Sequence, residues 1–243
     1  MRNCDTLIVG GGHVAVGIAL AQGNALICEE SEFIDAGFSL TLKSFGRSSY
    51  TPQTEAGTRL LACYEALGLF SENGRNCSAF EIGLSRFVLQ NPITVLLKCR
   101  VVRTETVPDG VIATILTNAG LETVKARRII DTRCKEGKQR FSLLFTMEST
   151  ESLARVQAVF PEGTVEPAFY PDRGALHLPV EGDHNRVLRQ VHSRWAAANL
   201  QEKILLTAPR LETVAEKSQL TDSAYGDPIA AFEAGFAWGK GAL

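Results

Sequence analysis

A glycine-rich bend near the amino terminus carries the residues best suited to chemistry. Gly10, Gly12 and Ala15 form the pattern G-x-G-x-x-A. In such a bend the first glycine allows a tight turn, the second lets the backbone approach a diphosphate, and the third small residue lets a helix pack on a strand. Glu29 lies 19 residues after Gly10, close to the spacing of about 20 at which an acid meets a dinucleotide ribose. The pattern predicts a dinucleotide-binding site.

Two neighbouring residues extend this candidate site. Glu30 follows Glu29 at the end of an apolar run, so we include it among the cofactor-binding residues. His13 directly follows the glycines. Two roles stay open for it: a polar contact to a phosphate or to the cofactor ring, and simple capping of the turn.

The hydrophobic pattern places the bend between a strand and a helix. Residues 6–9 predict a buried strand, 14–21 a helix and 25–28 a second strand, which together form a βαβ unit. A helix is expected over 54–69, and three β-rich stretches at 93–107, 110–118 and 122–131 predict an antiparallel meander. Further strands are predicted at 141–147, 155–160 and 165–170, and further helices at 186–200 and 228–240. The chain is therefore predicted to have an α/β fold.

Composition excludes several classes of protein. The 243 residues carry a net charge of −2, which gives no electrostatic reason to expect a nucleic acid or a membrane as partner. No two of the six cysteines are spaced as CxxC, and no ligand spacing predicts a metal site. Asp5 and the glycines interrupt what could otherwise be a signal peptide, so a cytoplasmic location is expected.

The first 30 residues resemble the opening of FAD-dependent oxidoreductases of the glutathione-reductase-like superfamily. Those chains begin D-x-x-V-V-G-G-G-x-A-G and end their second strand on a glutamate. Residues 100–102, 126–132 and 226–235 resemble later segments of the same family. The resemblance implies a Rossmann-like FAD-binding domain, with a central parallel sheet and a β-meander, formed by residues 1–135 and 215–243. It also implies a small β-rich inserted region over 136–214.

The resemblance implies FAD as cofactor and a small organic molecule as substrate, with a hydride passing between the substrate and the flavin. The bend and Glu29 would hold the ADP half, the backbone of Val102 the adenine, and Gly226 and Asp227 the flavin end. Catalytic residues stay unknown. The weak candidates in the inserted region share only their location there: Tyr170, Arg173, His177 and His184.

Departures from the family pattern keep two alternatives open. His13 stands where the family has proline or a small residue, Ala15 replaces the third glycine, and residues 132–134 replace the family's A-T-G. One alternative is a degenerate flavoprotein-like subunit that binds FAD weakly or not at all and serves as a scaffold in a homo- or hetero-oligomer. The other is a nicotinamide-binding Rossmann protein.

Overall fold

The amino-terminal βαβ unit is present as the sequence predicts. The computed structural model describes residues 1–43, 50–71, 74–216 and 219–241. Strand β1 (Arg2–Val9) leads through the bend into helix α1 (His13–Gln22) and then into strand β2 (Ala25–Cys28). The two strands pair in parallel. Leu7 and Ile8 are fully buried because β1 lies inside the sheet, with its two faces covered.

The central sheet has six strands in the order β5-β2-β1-β8-β7-β6. The new strands are β5 (Thr94–Leu96), β6 (Arg100–Val107), β7 (Gly110–Thr117) and β8 (Gly120–Asp131). The first four strands of this order are parallel, whereas β6, β7 and β8 form the antiparallel meander. The predicted fold class, a parallel sheet extended by a meander, is confirmed.

Helices cover one face of this sheet. They are α2 (Ala36–Ser39), α3 (Glu55–Ala66), α4 (Phe80–Leu89) and α7 (Pro228–Gly239) beside α1. A two-stranded hairpin, β3 (Phe70–Ser71) and β4 (Gly74–Arg75), precedes α4. Helix α4 was not predicted, although its buried residues follow helical spacing: Phe80, Leu84, Phe87 and Val88.

A second, antiparallel sheet follows the first along the chain. It contains β9 (Lys138–Thr146), β10 (Thr164–Pro167), β11 (Arg173–Val180), β12 (Ile204–Thr207) and β13 (Glu212–Val214). Helices α5 (Glu151–Val159) and α6 (His184–Ala197) share a hydrophobic cluster with one face of it. The predicted strand at 155–160 is wrong, because α5 buries Ser152 and Val156 one helical turn apart.

The other face of the second sheet packs on the α/β unit. Leu144 and Ala175 belong to the same hydrophobic cluster as the residues of α1 and α7. All strands of the second sheet lie between residues 138 and 214, and the domain boundaries at 135/136 and 214/215 stay predictions. Within the described ranges, no helix combines the length and the apolar character needed to cross a membrane.

Two glycines allow α1 and α7 to approach within backbone contact. A Cβ at Gly17 would overlap the carbonyl oxygen of Phe232, and one at Gly235 would overlap that of Val14. Small residues at both positions therefore hold the helix that starts at the bend against the closing helix. This contact sets how closely α1 and α7 pack.

We expect Gly17→Ala to lower the free energy of unfolding by about 1–3 kcal/mol, because its methyl group would press on the backbone of α7. The matched control is Gly37→Ala, whose added Cβ would have no neighbour closer than 3.5 Å and should change stability by less than about 1 kcal/mol. Denaturant unfolding of both variants measures the difference. Equal effects would contradict close packing of α1 on α7.

Candidate functional site

A groove lies at the carboxyl edge of three parallel strands. The segments that directly follow β1, β2 and β8 line it: residues 10–12, 29–30 and 132–134. Its volume is about 280 Å³. Open α/β sheets bind their ligands at this edge, outside the carboxyl ends of the strands. We call this the strand-end groove. Its other lining residues come from three further segments of the chain: Ala36, Gly37, Thr41, Arg210, Leu211, Thr221 and Asp222.

Glu29 is folded back onto the bend. One oxygen of its buried carboxylate accepts the N–H of Gly11, and the other accepts that of Ser31 at 2.7 Å. A Cβ at Gly11 would lie 2.9 Å from the Cβ of Glu29, so only glycine allows this approach. Glu29 therefore shapes the bend as well as lining the groove.

Arg133 places a positive charge at the edge of the strand-end groove. Its guanidinium lies 2.9 Å from Glu30 Oε1 and 2.9 Å from Asp131 Oδ2. Burial alone would raise the pKa of Asp131, but hydrogen bonds from Arg133 and Lys135 lower it to about 2. Gly10 has a φ of +99°, a conformation that suits glycine. A Cβ at this position would also overlap the side chain of Arg133. The groove thus has a fixed cation beside its two glutamates.

The anion-binding position at the start of α1 is occupied by the chain itself. Asp222 accepts the backbone N–H of His13 at 2.9 Å and that of Val14 at 2.8 Å. A Cβ at Gly12 would overlap the same carboxylate. Helix N-termini bind phosphates and carboxylates through such amides. Asp222 therefore stands where a cofactor diphosphate would bind.

The side chain of His13 points away from the groove, into the core. Its Nδ1 atom lies 3.2 Å from Asp35 Oδ1 and 3.4 Å from Asp222 Oδ2, and its Nε2 atom lies 2.5 Å from the hydroxyl of Tyr64. All of these residues are buried. Burial lowers the pKa of His13, but the two carboxylates more than offset this and raise it to about 9.

The pKa values of the two carboxyl groups beside His13, those of Asp35 and Asp222, shift in opposite directions. Burial raises the pKa of Asp35, and His13 offsets only part of that effect. Burial also raises the pKa of Asp222, but the hydrogen bonds from His13 and the first α1 amides bring it below its ordinary value. Asp222 is therefore held as an anion, and the cluster behind the bend is strongly polar within a hydrophobic core.

The residues predicted for the flavin end line a different cavity. Gly226 and Asp227 border a second cavity of about 520 Å³, together with Tyr50, Gln53 and Arg75 among others. Asp227 accepts the first two free amides of α7, and it lies 3.4 Å from the buried guanidinium of Arg75. The two predicted halves of the cofactor site therefore do not share one cavity in this structure.

Two further cofactor-site predictions lie outside the groove lining. Val102 is half-exposed on β6, and Ala15 is buried in the first turn of α1. Neither side chain borders the strand-end groove. Ala15 nevertheless supplies the small residue that the pattern requires between helix and sheet.

The candidates for substrate contact lie on the second sheet and beside it. His177 is buried on β11, where its Nδ1 is 2.8 Å from Ser142 Oγ and its Nε2 is 3.4 Å from Glu166. The guanidinium of Arg173 lies over the ring of Tyr170. The structure brings neither pair to the strand-end groove.

His184 occupies a further position, at the first residue of α6. Its ring packs against Phe141 of the second sheet, with the two ring centroids 5.6 Å apart. It is also absent from the groove lining, so the four candidates in the inserted region do not form one site with the bend.

Sequence reasoning missed the residues that close the site. Asp35, Tyr64 and Asp222 are distant in sequence from the bend, and no fixed spacing links them to it. The one usable signal is Asp35, an acid inside the apolar segment of residues 33–38. A buried acid of this kind needs a partner, but the pattern does not say which residue supplies it.

Comparison with solved structures gives the fold relationship. The chain matches p-nitrophenol 4-monooxygenase from Pseudomonas putida with a TM-score of 0.59 at 10% identity, covering 100% of this chain and 82% of that one. It matches aklavinone-11 hydroxylase, solved with FAD and aklavinone, with a TM-score of 0.58 at 13% identity. A third match is the anhydrotetracycline hydroxylase OxyS from Streptomyces rimosus, with a TM-score of 0.61 at 14% identity.

These matches establish a fold that is also found in a monooxygenase and in two hydroxylases, one of which was solved with FAD. The chain is covered to 98% by each of the two latter structures, but it spans only 62% and 61% of their length. No protein-family model matches the chain, and no curated protein matches its sequence. Membership of the glutathione-reductase-like superfamily in particular stays a prediction.

We expect Asp222→Asn to lower the free energy of unfolding by about 3 kcal/mol or more, because it removes a buried charge partner of His13. The matched control is Asp183→Asn. Asp183 accepts the N–H of Arg186 at the exposed start of α6, where asparagine and aspartate cap about equally and the change should be under about 0.5 kcal/mol. Denaturant unfolding compares the two. If Asp222→Asn lowers the free energy of unfolding as little as Asp183→Asn does, Asp222 is not an essential charge partner of His13.

Proposed function

We propose that this chain is an FAD-binding oxidoreductase that uses the strand-end groove for the ADP half of the cofactor. The observation that carries the proposal is the groove itself. It runs along a bend without side chains, at the carboxyl edge of β1, β2 and β8, with Glu29 and Arg133 beside it. The match to the FAD-bound hydroxylase structure supports this proposal through the fold.

The residues along the groove fit an adenosine diphosphate in chemical kind. Glu29 and Glu30 offer carboxylate oxygens of the sort that accept ribose hydroxyls. Arg133 and Arg210 offer guanidinium groups, which pair with phosphates. The position at the start of α1 suits an anion, because a carboxylate already occupies it. The fit requires Asp222 to release the amides of His13 and Val14, since a diphosphate and Asp222 compete for the same donors.

Bound FAD would supply two-electron chemistry at its ring, accepting a hydride from a small organic substrate. The chain's own residues would hold and orient the nucleotide. Arg133 would balance the charge of the diphosphate, and Gly12 would leave room for it. The buried Arg75 and the amides of α7 border the second cavity, where we place the flavin end and the substrate.

A second candidate function is favoured by Asp222. A chain whose helix N-terminus is capped by its own carboxylate has no need of a cofactor phosphate to satisfy those amides. In this alternative the protein is a flavoprotein-like scaffold subunit that binds FAD weakly or not at all. It would be found in an oligomer, which light scattering after size-exclusion chromatography measures.

We expect the folded chain to bind FAD with a stoichiometry of one per chain and to stay yellow after unbound FAD has been removed by gel filtration. Titration followed by absorbance and flavin fluorescence measures the affinity. NADH titrated in parallel addresses the nicotinamide alternative and should bind more weakly. A folded protein that binds no FAD would exclude the first candidate and favour the scaffold.

Substitutions at Gly37 test whether FAD occupies the strand-end groove. Gly37 lies in α2 and borders this groove. We expect Gly37→Leu to weaken FAD binding at least tenfold, because its side chain would fill the groove near Asp222. Gly37→Ala is the matched control and should keep the affinity of the unchanged chain. Equal FAD affinity in the two variants would show that FAD binds outside the strand-end groove.

A further inference from the structure

Three buried side chains meet behind the bend in a way that neither the fold nor the proposed cofactor explains. One ligand atom each from His13, Asp35 and Asp222 lies within 4.8 Å of the others. Both His13 and Asp35 are fully buried, and Asp222 is 8% exposed. They come from α1, from the residue before α2 and from the 3₁₀ turn Asp222–Ala224.

The cluster leaves one buried oxygen without a hydrogen bond. The Nδ1 atom of His13 carries at most one proton, yet a carboxylate oxygen of Asp35 and one of Asp222 both face it, at 3.2 and 3.4 Å. Among the described residues, Asp35 Oδ1 finds no hydrogen-bond partner. The other oxygen of Asp35 accepts the hydroxyl of Ser39 at 2.8 Å. A buried carboxylate oxygen is costly unless a cation meets it. In the metal-free chain that cation is the imidazolium of His13, whose Nδ1 lies 3.2 Å away and whose pKa is raised to about 9.

The spacing of the His13 nitrogen from the two carboxylate oxygens suits a small divalent cation. Zinc binds imidazole nitrogen and carboxylate oxygen at about 2.0–2.2 Å in tetrahedral geometry, which places neighbouring ligand atoms roughly 3.3–3.5 Å apart. The distances from His13 Nδ1 to the two carboxylates are 3.2 and 3.4 Å. We propose that His13, Asp35 and Asp222 form a binding site for a divalent cation of the Zn²⁺ type.

The outer partners of the three side chains support this site. Tyr64 lies 2.5 Å from His13 Nε2, so in a metal-bound form the Nε2–H would donate to its hydroxyl, while Nδ1, having given up its proton, would bind the metal. A ligating histidine usually donates its other ring N–H to such a partner, and ligating carboxylates are themselves hydrogen-bonded. Ser39 does this for Asp35, and the amides of His13 and Val14 do it for Asp222.

The site is closed, so its role is structural and electrostatic. Metal binding would displace the Nδ1 proton of His13 to solvent. The two carboxylates and the neutral imidazole would then carry a charge of −2, which one divalent cation cancels. The cation would join α1, α2 and the 3₁₀ turn, and it would remove negative charge directly behind the strand-end groove. The competing way to balance these carboxylates is with protons, above all the second proton that His13 holds in the metal-free chain, and the experiment distinguishes the two.

The test uses the full chain produced in medium with added Zn²⁺ or Co²⁺, without FAD, so it does not depend on the proposed function. We expect one metal ion per chain by elemental analysis. The Co²⁺ form should show the visible d–d absorption of a tetrahedral site without a thiolate-to-metal charge-transfer band. Folded protein that retains no metal, or a strong thiolate band that assigns the metal to cysteines, would overturn the proposal.

Variants locate the site. Asp35→Asn should weaken Zn²⁺ retention against graded chelators by more than 100-fold, and Tyr64→Phe by roughly 10- to 100-fold as expected for an outer partner. Asp183→Asn, at the exposed start of α6, is the matched control and should retain metal as the unchanged chain does. Should Asp35→Asn fail to fold, Tyr64→Phe decides. Unchanged metal retention in a folded Asp35→Asn or Tyr64→Phe variant would exclude this cluster.

Discussion

The contact between the Asp222 carboxylate and the first amides of α1 is the constraint on which the rest of the site depends. It joins the carboxyl-terminal part of the chain to the amino-terminal bend, 208 residues away in sequence. Lys43 reinforces it, because its buried amine lies 2.6 Å from the backbone oxygen of Asp222. The bend, the groove and the buried histidine all meet at this one contact.

A carboxylate also accepts backbone N–H groups at the start of two other helices. Asp227 accepts the first amides of α7, and Glu233 accepts the backbone N–H groups of Gln53 and Thr54 before α3. Each helix start therefore meets a carboxylate of the chain itself, which satisfies donors and complements the helix dipole. A ligand that binds at one of these positions must displace a carboxylate, and this sets how strongly the fold can hold an anionic cofactor.

The sequence predicts the part of the fold that local patterns encode. The strand, the bend and the helix over residues 2–22 follow from β-branched and glycine-rich runs, and the meander follows from turn signals such as Asp109-Gly110. Helix α5 was misread because its run of residues 155–160 suits either element. Asp35, Tyr64 and Asp222 could not be found, since tertiary packing alone brings them to His13. Gly10 and Glu29, which the sequence predicts for the cofactor site, both line the groove, but the contact of Asp222 with the bend was not foreseen.

The backbone amides of His13 and Val14 offer the most direct measurement, because they are the donors for which Asp222 and a cofactor diphosphate compete. Their ¹H and ¹⁵N chemical shifts can be followed as FAD is added to the isotope-labelled chain. The account requires both amides to shift on binding, together with that of Gly37 across the groove. FAD binding that leaves these amides unchanged would place the cofactor elsewhere and contradict the account.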